Sequence, residues 1–298
     1  MKNRSARLRS RVRRIAAAWS VVALLVPAMR ARASGDFVWR QESNNVFGAG
    51  ETLLYVVKYG LIPAGFATLE VRSVDTVDGR PAYYIMSRAR TNKAMDLVFK
   101  VRDKNESWMD VQSLCSLMAS QQIREGLYKR TTITAYNHPR GRFTYVKRRK
   151  GKETITEGGI PAFVQDVLSS LYYIRTRNLE VGKKYSFDAN SGGKTWPLTV
   201  NVQEIEKVRV AAGKFNCFHL EPILAGEGIF QQEGRLEVWV TADERKMPVL
   251  LRSRVMIGAF DAELVEFSTT GGSNIIKEKG LDEVEQEEEP AAAPIPKN

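Results

Sequence analysis

LEVWVTADERKMPV, at residues 236–249, has the pattern of a β-hairpin. Alternate positions from Leu236 to Val240 are apolar, and a period of two is typical of a strand with one face on a core. The polar run 243–246 has the composition of a reverse turn. Pro248 begins the return strand, where a missing N–H is tolerated. This stretch predicts two antiparallel strands joined by a short connection.

The same alternation recurs over most of the chain. It runs from Leu53 to Tyr59, and turn residues such as Asp78-Gly79 and the run 137–141 separate later strands at intervals of roughly 8–12 residues. We predict a mainly β fold that is antiparallel and forms a strongly curved sheet or a partly open β-barrel. Further strands are predicted over residues 67–71, 83–86, 108–111, 117–123, 131–136, 143–146, 198–202, 249–257 and 260–267.

One segment has helical spacing instead. Apolar residues recur every three or four positions from Phe163 to Ile174, and Pro161 lies near the start. We predict one principal helix over Ala162–Arg175 and a shorter helical turn over 91–98.

The N-terminus has the three parts of a secretory signal peptide. Residues 1–33 carry nine Lys/Arg and no acid, and Ile15–Val26 is apolar before Ala31-Arg32-Ala33. We predict that 1–33 is a signal peptide and that the protein is periplasmic. An N-terminal membrane anchor is the alternative, although the apolar run is shorter than the roughly 20 residues that span a bilayer.

Three further regions follow the predicted signal peptide. Residues 34–49 form a lead segment, and 50–270 form the β-rich domain. Residues 271–298 are acidic and then Pro/Ala-rich, so we predict a disordered tail. No later apolar run is long enough for a transmembrane helix.

The net charge does not indicate nucleic-acid binding. The formal charge is +11, and the predicted signal peptide holds nine of the positive charges, which leaves +2. Nucleic-acid binders carry strong clustered basic patches. The run Lys147–Lys150 beside Gly151 is predicted to be a solvated hairpin end, with anionic lipid headgroups as the alternative partner.

The sequence has few residues or motifs that are typical of a catalytic site. His138 lies in a Pro/Gly turn and is expected to be exposed, whereas His219 lies on a strand as a packed or edge residue. The sequence has no G-x-S-x-G elbow and no zinc signature. Ser191–Thr195 is predicted to be a hairpin loop and not a phosphate-binding loop. We predict a protein that is not an enzyme, with no catalytic, cofactor-binding or metal residues.

Carboxylates are plentiful. Asp103, Glu106 and Asp110 could flank a sugar, as glycosidase pairs do, but nothing in the sequence brings them together. We therefore expect them on a solvated face.

The chain has two cysteines, Cys115 and Cys217. In an oxidising compartment they could form a disulfide, which would stabilise the fold by roughly 4–5 kcal/mol for a loop of this length. Two buried thiols in strands are slightly favoured, because free cysteine is among the most buried residue types.

Aromatic and methionine side chains are spread over the predicted strands. Packed together they would form an ordinary core. On a curved sheet that is open on one side they would line an apolar cleft for an acyl chain, with the principal helix as its cover. These residues are Tyr55, Tyr59, Tyr83, Tyr84, Met86, Trp108, Met118, Trp239 and Met256.

Several phrases together resemble the bacterial family catalogued as domain of unknown function 3108. They are Gly50–Tyr55 with Tyr59-Gly60 and Ala64-Gly65 close behind, the helix phrase Asp166–Arg175, Ala212–Phe215, and the hairpin 236–249. The resemblance covers about residues 50–267. It implies an exported, β-rich envelope protein of Gram-negative bacteria and brings no established catalytic residues. By looser analogy, such a fold looks like the half-barrels of periplasmic lipoprotein carriers.

The sequence is compatible with three functions. The first is a non-catalytic periplasmic protein that binds a lipid, a lipoprotein acyl chain or another apolar ligand in a curved-sheet cleft. The second is a structural module that docks on another envelope protein through a sheet edge. The third, least favoured, is an envelope hydrolase acting on glycan or peptide. A deep apolar cleft would favour the first, and a filled barrel with an exposed edge strand the second.

Overall fold

The alternating segments pair into one antiparallel sheet. The computed structural model describes residues 37–224, 235–254 and 258–269. The predicted signal peptide, the predicted tail from 271 and residues 255–257 of one predicted strand lie outside the described residues. The strands are β1 Thr52–Tyr59, β2 Ile62–Val77, β3 Arg80–Thr91, β4 Arg102–Asp110, β5 Ser116–Glu125, β6 Tyr128–Asn137, β7 Arg142–Arg149, β8 Lys152–Gly159, β9 Lys184–Ser191, β10 Lys194–Val210, β11 Gly213–Leu224, β12 Arg235–Thr241, β13 Pro248–Arg254 and β14 Ala259–Ser268.

The sheet consists of two runs of neighbouring strands, which meet where the first strand pairs with the last. From one edge the order is β8 to β1, then β14 back to β9. The first and last strands therefore pair, with Thr52 opposite Ser268. β8 and β9 are the outer strands, and the sheet does not close between them. The predicted mainly β, antiparallel, partly open architecture is confirmed.

Antiparallel neighbours place successive connections at alternate ends of the sheet. We call one end the α1 end, because it carries the short helix α1, Lys93–Asp96. The other is the opposite end, which holds the connections 78–79, 111–115, 138–141, 211–212 and 242–247. The α1 end holds the connections 60–61, 92–101, 126–127, 150–151 and 192–193.

The principal helix, α2, spans Val167–Arg175 and connects the two outer strands. It starts five residues later than the predicted Ala162. The preceding backbone pairs with the sheet instead: Val164 accepts a hydrogen bond from the Ser116 N–H, and Gln165 bridges to Ala189 of β9. The short helix α1 lies within the predicted helical turn 91–98.

The core follows the predicted alternation. Leu53, Tyr55, Leu69, Val71 and Ile85 are buried in its largest cluster. On β12 both faces are buried, with Glu237, Trp239 and Thr241 on one side and Val238 and Val240 on the other.

Candidate functional site: an apolar cleft under helix α2

A cavity of about 100 Å³ lies between α2 and strands β9 to β12. It is partly enclosed, and none of the described residues that line it is charged. The helix contributes Val167, Leu171 and Ile174. The sheet contributes mainly aliphatic side chains, among them Leu198, Val200, Leu220 and Val238.

The N-terminus of α2 is fixed by a buried carboxylate. Asp166 is the N-cap and accepts hydrogen bonds from the Leu168 and Ser169 N–H groups at 2.8 and 3.0 Å. It also accepts from the hydroxyls of Ser107 and Ser116, both at 2.5 Å, which tie the helix to β4 and β5. Burial raises the pKa of Asp166, and these four donors oppose that shift.

The C-terminus of α2 is fixed by a buried ion pair. Arg175 donates two hydrogen bonds to the Glu51 carboxylate, each at 2.7 Å, and a third to the Arg245 carbonyl at 3.2 Å. Neither side chain of the ion pair is more than 2% exposed. Burial lowers the pKa of Arg175 and Glu51 raises it, with a net increase. Since both ends are anchored, α2 is a fixed wall of the cavity.

The cavity extends toward the α1 end of the sheet. Four of its lining residues lie beside connections at that end: Ser191 and Trp196 flank the β9–β10 turn, Leu224 ends β11, and Leu236 lies near the start of β12. We call the cavity and these four residues the α2 cleft.

The chemistry of the α2 cleft suits an apolar ligand. The Ser170 hydroxyl lines it but already donates to the Asp166 carbonyl at 2.6 Å. A cavity of roughly 150 Å³ lined by aliphatic groups stays dry and binds benzene. The smaller α2 cleft would hold a short segment of an acyl chain, with the rest of the ligand outside.

The aromatic residues proposed from the sequence lie elsewhere. Tyr55 is in the core and donates to the Pro248 carbonyl at 2.9 Å. Tyr84 stacks on Trp108 with ring centroids 4.9 Å apart, and Trp239 stacks on a histidine. None of the described residues of that set lines the cleft, and Met256 lies outside the described residues. The sequence patterns that correspond to the cleft are the helical spacing of 163–174 and the alternation at 198–202. Both patterns also occur in helices and strands that pack in an ordinary core, so they do not distinguish a cleft.

His138 is buried, so the expectation of an exposed turn residue is wrong. Its Nε2 lies 2.8 Å from the Ser116 carbonyl, and its Nδ1 accepts from the Phe163 N–H at 3.1 Å. Trp39 and Phe163 pack against the ring. Burial lowers the pKa of His138. The side chain is a structural bridge between the β6–β7 connection and the segment that precedes α2.

His219 packs on β11, as expected from its strand position. Its ring stacks on Trp239 with centroids 4.4 Å apart. With Glu204 and Glu206 it forms the one group of described residues that could hold a metal ion, with the potential ligand atoms within 4.8 Å of one another. Glu206 also accepts a hydrogen bond from the Trp239 indole N–H. The absence of a resident metal stays a prediction.

The three carboxylates of β4 are not on a solvated face, which corrects that expectation. Asp110 is fully buried and pairs with Arg80 at 2.5 and 3.0 Å. Glu106 is nearly buried and accepts from the Tyr84 hydroxyl at 2.6 Å. Asp103 is half-buried, and burial raises its pKa to about 6. Asp103 accepts a hydrogen bond from the Arg124 N–H at 2.8 Å, so each of the three carboxylates has a hydrogen-bond partner within the fold.

The two cysteines are free and buried. Cys217 lies on β11 as predicted, whereas Cys115 lies in the connection before β5 and not in a strand. Burial raises the pKa of each thiol to about 12. The interpretation as buried thiols is confirmed.

Both predicted hairpin ends are confirmed. Lys150 and Gly151 form the turn between β7 and β8, with φ angles of 50° and 72°. Gly192 and Gly193 form the turn between β9 and β10, so Ser191–Thr195 is a hairpin loop. In the part of the chain that the structure describes, no helix has the length and hydropathy needed to cross a membrane.

Comparisons with known proteins match this fold. The sequence profile of a family described as "Protein of unknown function (DUF3108)" matches residues 54–265. A search among curated proteins finds no significant match. A β-barrel-like protein of domain of unknown function DUF1849 from Brucella abortus has a similar solved structure, with a TM-score of 0.53 and 11% identity over 75% of this chain and 99% of that one. At this identity the similarity shows the fold alone.

Two more distant structures also match. One is described as an exported protein with a YmcC-like fold from Bacteroides fragilis, with a TM-score of 0.27 and 9% identity over 79% of this chain and 100% of that one. The other is described as a lipoprotein from Parabacteroides distasonis, with a TM-score of 0.26 and 6% identity over 78% and 99%. These scores are too low for any functional conclusion.

Proposed function

The chain belongs to the DUF3108 family of proteins of unknown function, and from its α2 cleft we propose that it is a non-catalytic, exported envelope protein that binds an apolar ligand. The ligand class is a lipid or the acyl chain of a lipoprotein. The observation that carries the proposal is the uncharged cavity between α2 and strands β9 to β12. Apolar pockets of this kind are the default binding sites of small molecules.

The compartment is part of the proposal. Residues 1–33 have the basic, apolar and small-residue regions of a signal peptide, which would send the chain to the periplasm. Acyl chains are abundant there in lipids and lipoproteins, and they are poorly soluble in water. A cleft that removes a segment of such a chain from water gains roughly 0.8 kcal/mol per buried methylene.

The first experiment is native mass spectrometry of the protein purified from the periplasm, followed by organic extraction of anything bound. We expect a co-purifying lipid of defined mass. An apo mass that does not shift after incubation with envelope lipids would contradict the proposal.

A matched pair of variants tests whether the α2 cleft is the site. Val167 lines the cleft and is 54% exposed, so Val167→Trp should fill the cavity and abolish the lipid adduct. Val181 is 52% exposed and does not line the cleft, so Val181→Trp should retain the adduct. Equal adducts in both variants would place the ligand elsewhere.

A second candidate function rests on β8. This outer strand is exposed along its length except at Gly158, and among the described strands it pairs only with β7. An unpaired strand edge can accept a strand from a partner protein. A photo-crosslinking residue at Ile155 would then capture one envelope protein, whereas the same residue at Phe66, which is exposed but paired with both β1 and β3, would not. Equal labelling from the two positions would argue against edge docking.

A further inference from the structure

Exposed apolar side chains are concentrated at the α1 end of the sheet. Leu61, Leu97 and Leu127 are 96%, 90% and 101% exposed, and they lie on three different connections. Ile62 and Val98 beside them are 62% and 79% exposed. Burying these groups would be favourable, because each large aliphatic side chain gains free energy when it leaves water.

The opposite end of the sheet differs. Leu114 and Met247, in its connections 111–115 and 242–247, are completely buried. No large apolar side chain in the five described connections that define this end is exposed, and Val181, which precedes β9 there, is 52% exposed. The apolar tips of the α1 end are therefore not a general property of the connections in this fold.

Hydrogen bonds hold the tips of the α1 end together. The Asn92 side chain donates to the Pro63 carbonyl at 2.7 Å, which joins the β3–β4 connection to the start of β2. The Gly126 N–H donates to the Lys100 carbonyl at 2.7 Å, which joins the β5–β6 turn to the same connection. A Cβ atom at Gly126 would lie 3.1 Å from the Phe99 ring, so these segments are also in contact. The tips form one surface.

Exposed cations surround this surface. Lys93 is the first residue of α1, Lys100 lies after its end, and Lys129 follows the β5–β6 turn. Lys150 and Lys152 lie in the β7–β8 hairpin at the same end. The hairpin is held against its neighbour, because a guanidinium of β7, that of Arg149, lies 4.5 Å from the centroid of the Tyr128 ring.

Two of the nearby acids are neutralised by ion pairs. Asp96 pairs with Arg102 at 2.6 Å, and Glu153 pairs with Arg148 at 2.5 Å. Asp103 and Glu125 also adjoin these connections, but Lys93, Lys129, Lys150 and Lys152 outnumber them, so the surface carries a net positive charge.

We infer that the α1 end docks on an anionic lipid bilayer. Leucine and valine tips would enter the interface between headgroups and acyl chains, and the lysines around them would contact lipid phosphates. The apolar tips lie on separate turns, and a bilayer accepts scattered insertions of this kind without a groove. The positive charge complements an anionic leaflet, which makes a lipid surface the occupant that these residues favour.

The test is binding to vesicles. The protein is purified from the soluble envelope fraction, and its N-terminus is checked by mass so that all variants are the same length. Binding is measured by flotation with vesicles of phosphatidylcholine alone and of equal parts phosphatidylcholine and phosphatidylglycerol. We expect binding to the anionic vesicles that weakens as salt is raised.

Three variants locate the contact. The double variant Leu97→Asp with Leu127→Asp should bind anionic vesicles at least roughly tenfold more weakly. It removes two apolar tips and adds two negative charges, which the anionic lipids repel. Lys150→Glu with Lys152→Glu should weaken binding by roughly fivefold for each lysine lost. Val181→Asp is the matched control at the opposite end and should bind as the natural protein does. All four positions of the test variants are exposed, so circular dichroism should show unchanged folding.

Three results of these binding measurements would contradict the inference. No binding of the natural protein to anionic vesicles would overturn the inference, and so would equal binding by the leucine variant or equal binding to neutral vesicles. The inference does not depend on the proposed ligand, because Val167→Trp in the α2 cleft leaves the tips intact and should bind vesicles normally.

Discussion

At the scale of single residues, the buried ion pair between Glu51 and Arg175 is the contact whose loss should destabilise the fold most. Both side chains are buried, and the pair links the start of β1 to the end of α2. Replacing one partner leaves the other charge buried without compensation.

We predict that Glu51→Gln lowers the free energy of unfolding by about 3–5 kcal/mol. Urea denaturation of the purified protein measures this loss. The control is Glu153→Gln, which removes one partner of an exposed pair, Arg148–Glu153, and should cost less than about 1 kcal/mol. Equal losses in the two variants would mean that burial of the Glu51 pair does not matter.

His138 predicts a dependence of stability on pH. Its Nδ1 must stay unprotonated to accept the Phe163 N–H, and burial lowers its pKa. The unfolded chain takes up a proton near pH 6.5 while the folded chain does not, so stability falls as pH drops below about 6.5. The slope due to this group is at most about 1.4 kcal/mol per pH unit.

The variant His138→Gln should lose this part of the slope. Urea midpoints measured from pH 8 down to pH 5 would show it as a smaller loss of stability on acidification than in the natural protein. Parallel curves below about pH 6.5 would contradict the assignment, while parallel curves above it are expected.

At the scale of elements, close approach of β2 and β3 depends on one glycine. A Cβ atom at Gly65 would lie 2.0 Å from the Arg90 carbonyl oxygen, which belongs to the backbone and cannot turn away. We predict that Gly65→Ala destabilises the protein by about 1–3 kcal/mol.

Gly159→Ala on β8 is the control, because the nearest atom to its Cβ would be 3.8 Å away. It should change stability by no more than about 0.5 kcal/mol. Thermal melts of both variants give the comparison. A stable Gly65→Ala protein would show that β2 and β3 can move apart without loss.

Sequence patterns predicted the inner elements better than the outer ones. Alternation marked β1, β10 and β12, because each carries apolar residues at alternate positions that pack in the core, although the other face of β12 is buried as well. It did not mark the outer strands β8 and β9. β8 has no buried face, so its sequence KETITEGG has no reason to alternate between apolar and polar residues.

The candidate site was only partly predictable for a related reason. The helical spacing of 163–174 predicted α2 and its place over a cleft, but the start of the helix depends on how the segment before it pairs with Ser116 and Ala189. His138 is buried by Trp39 and Phe163, which are distant in sequence. Contacts of this kind are tertiary and leave no local pattern.

At the scale of the whole molecule, the buried thiols are reporters of unfolding. Cys115 and Cys217 have no exposed surface, and burial raises the pKa of each to about 12. We predict that iodoacetamide labels neither in the native protein and both in urea, because the reagent needs an exposed thiolate. Mass spectrometry counts the labels over time. Rapid labelling of one cysteine without denaturant would reveal local opening around it.

The pairing of β1 with β14 sets an order of events in time. Thr52 emerges early from the ribosome or from a secretion channel, yet its partner Ser268 follows only after nearly the whole domain. Until then β1 and β13 each have an unsatisfied edge, and such edges invite aggregation. The nascent chain therefore has a long interval in which a chaperone would be useful, and the interval ends only when the last strand arrives.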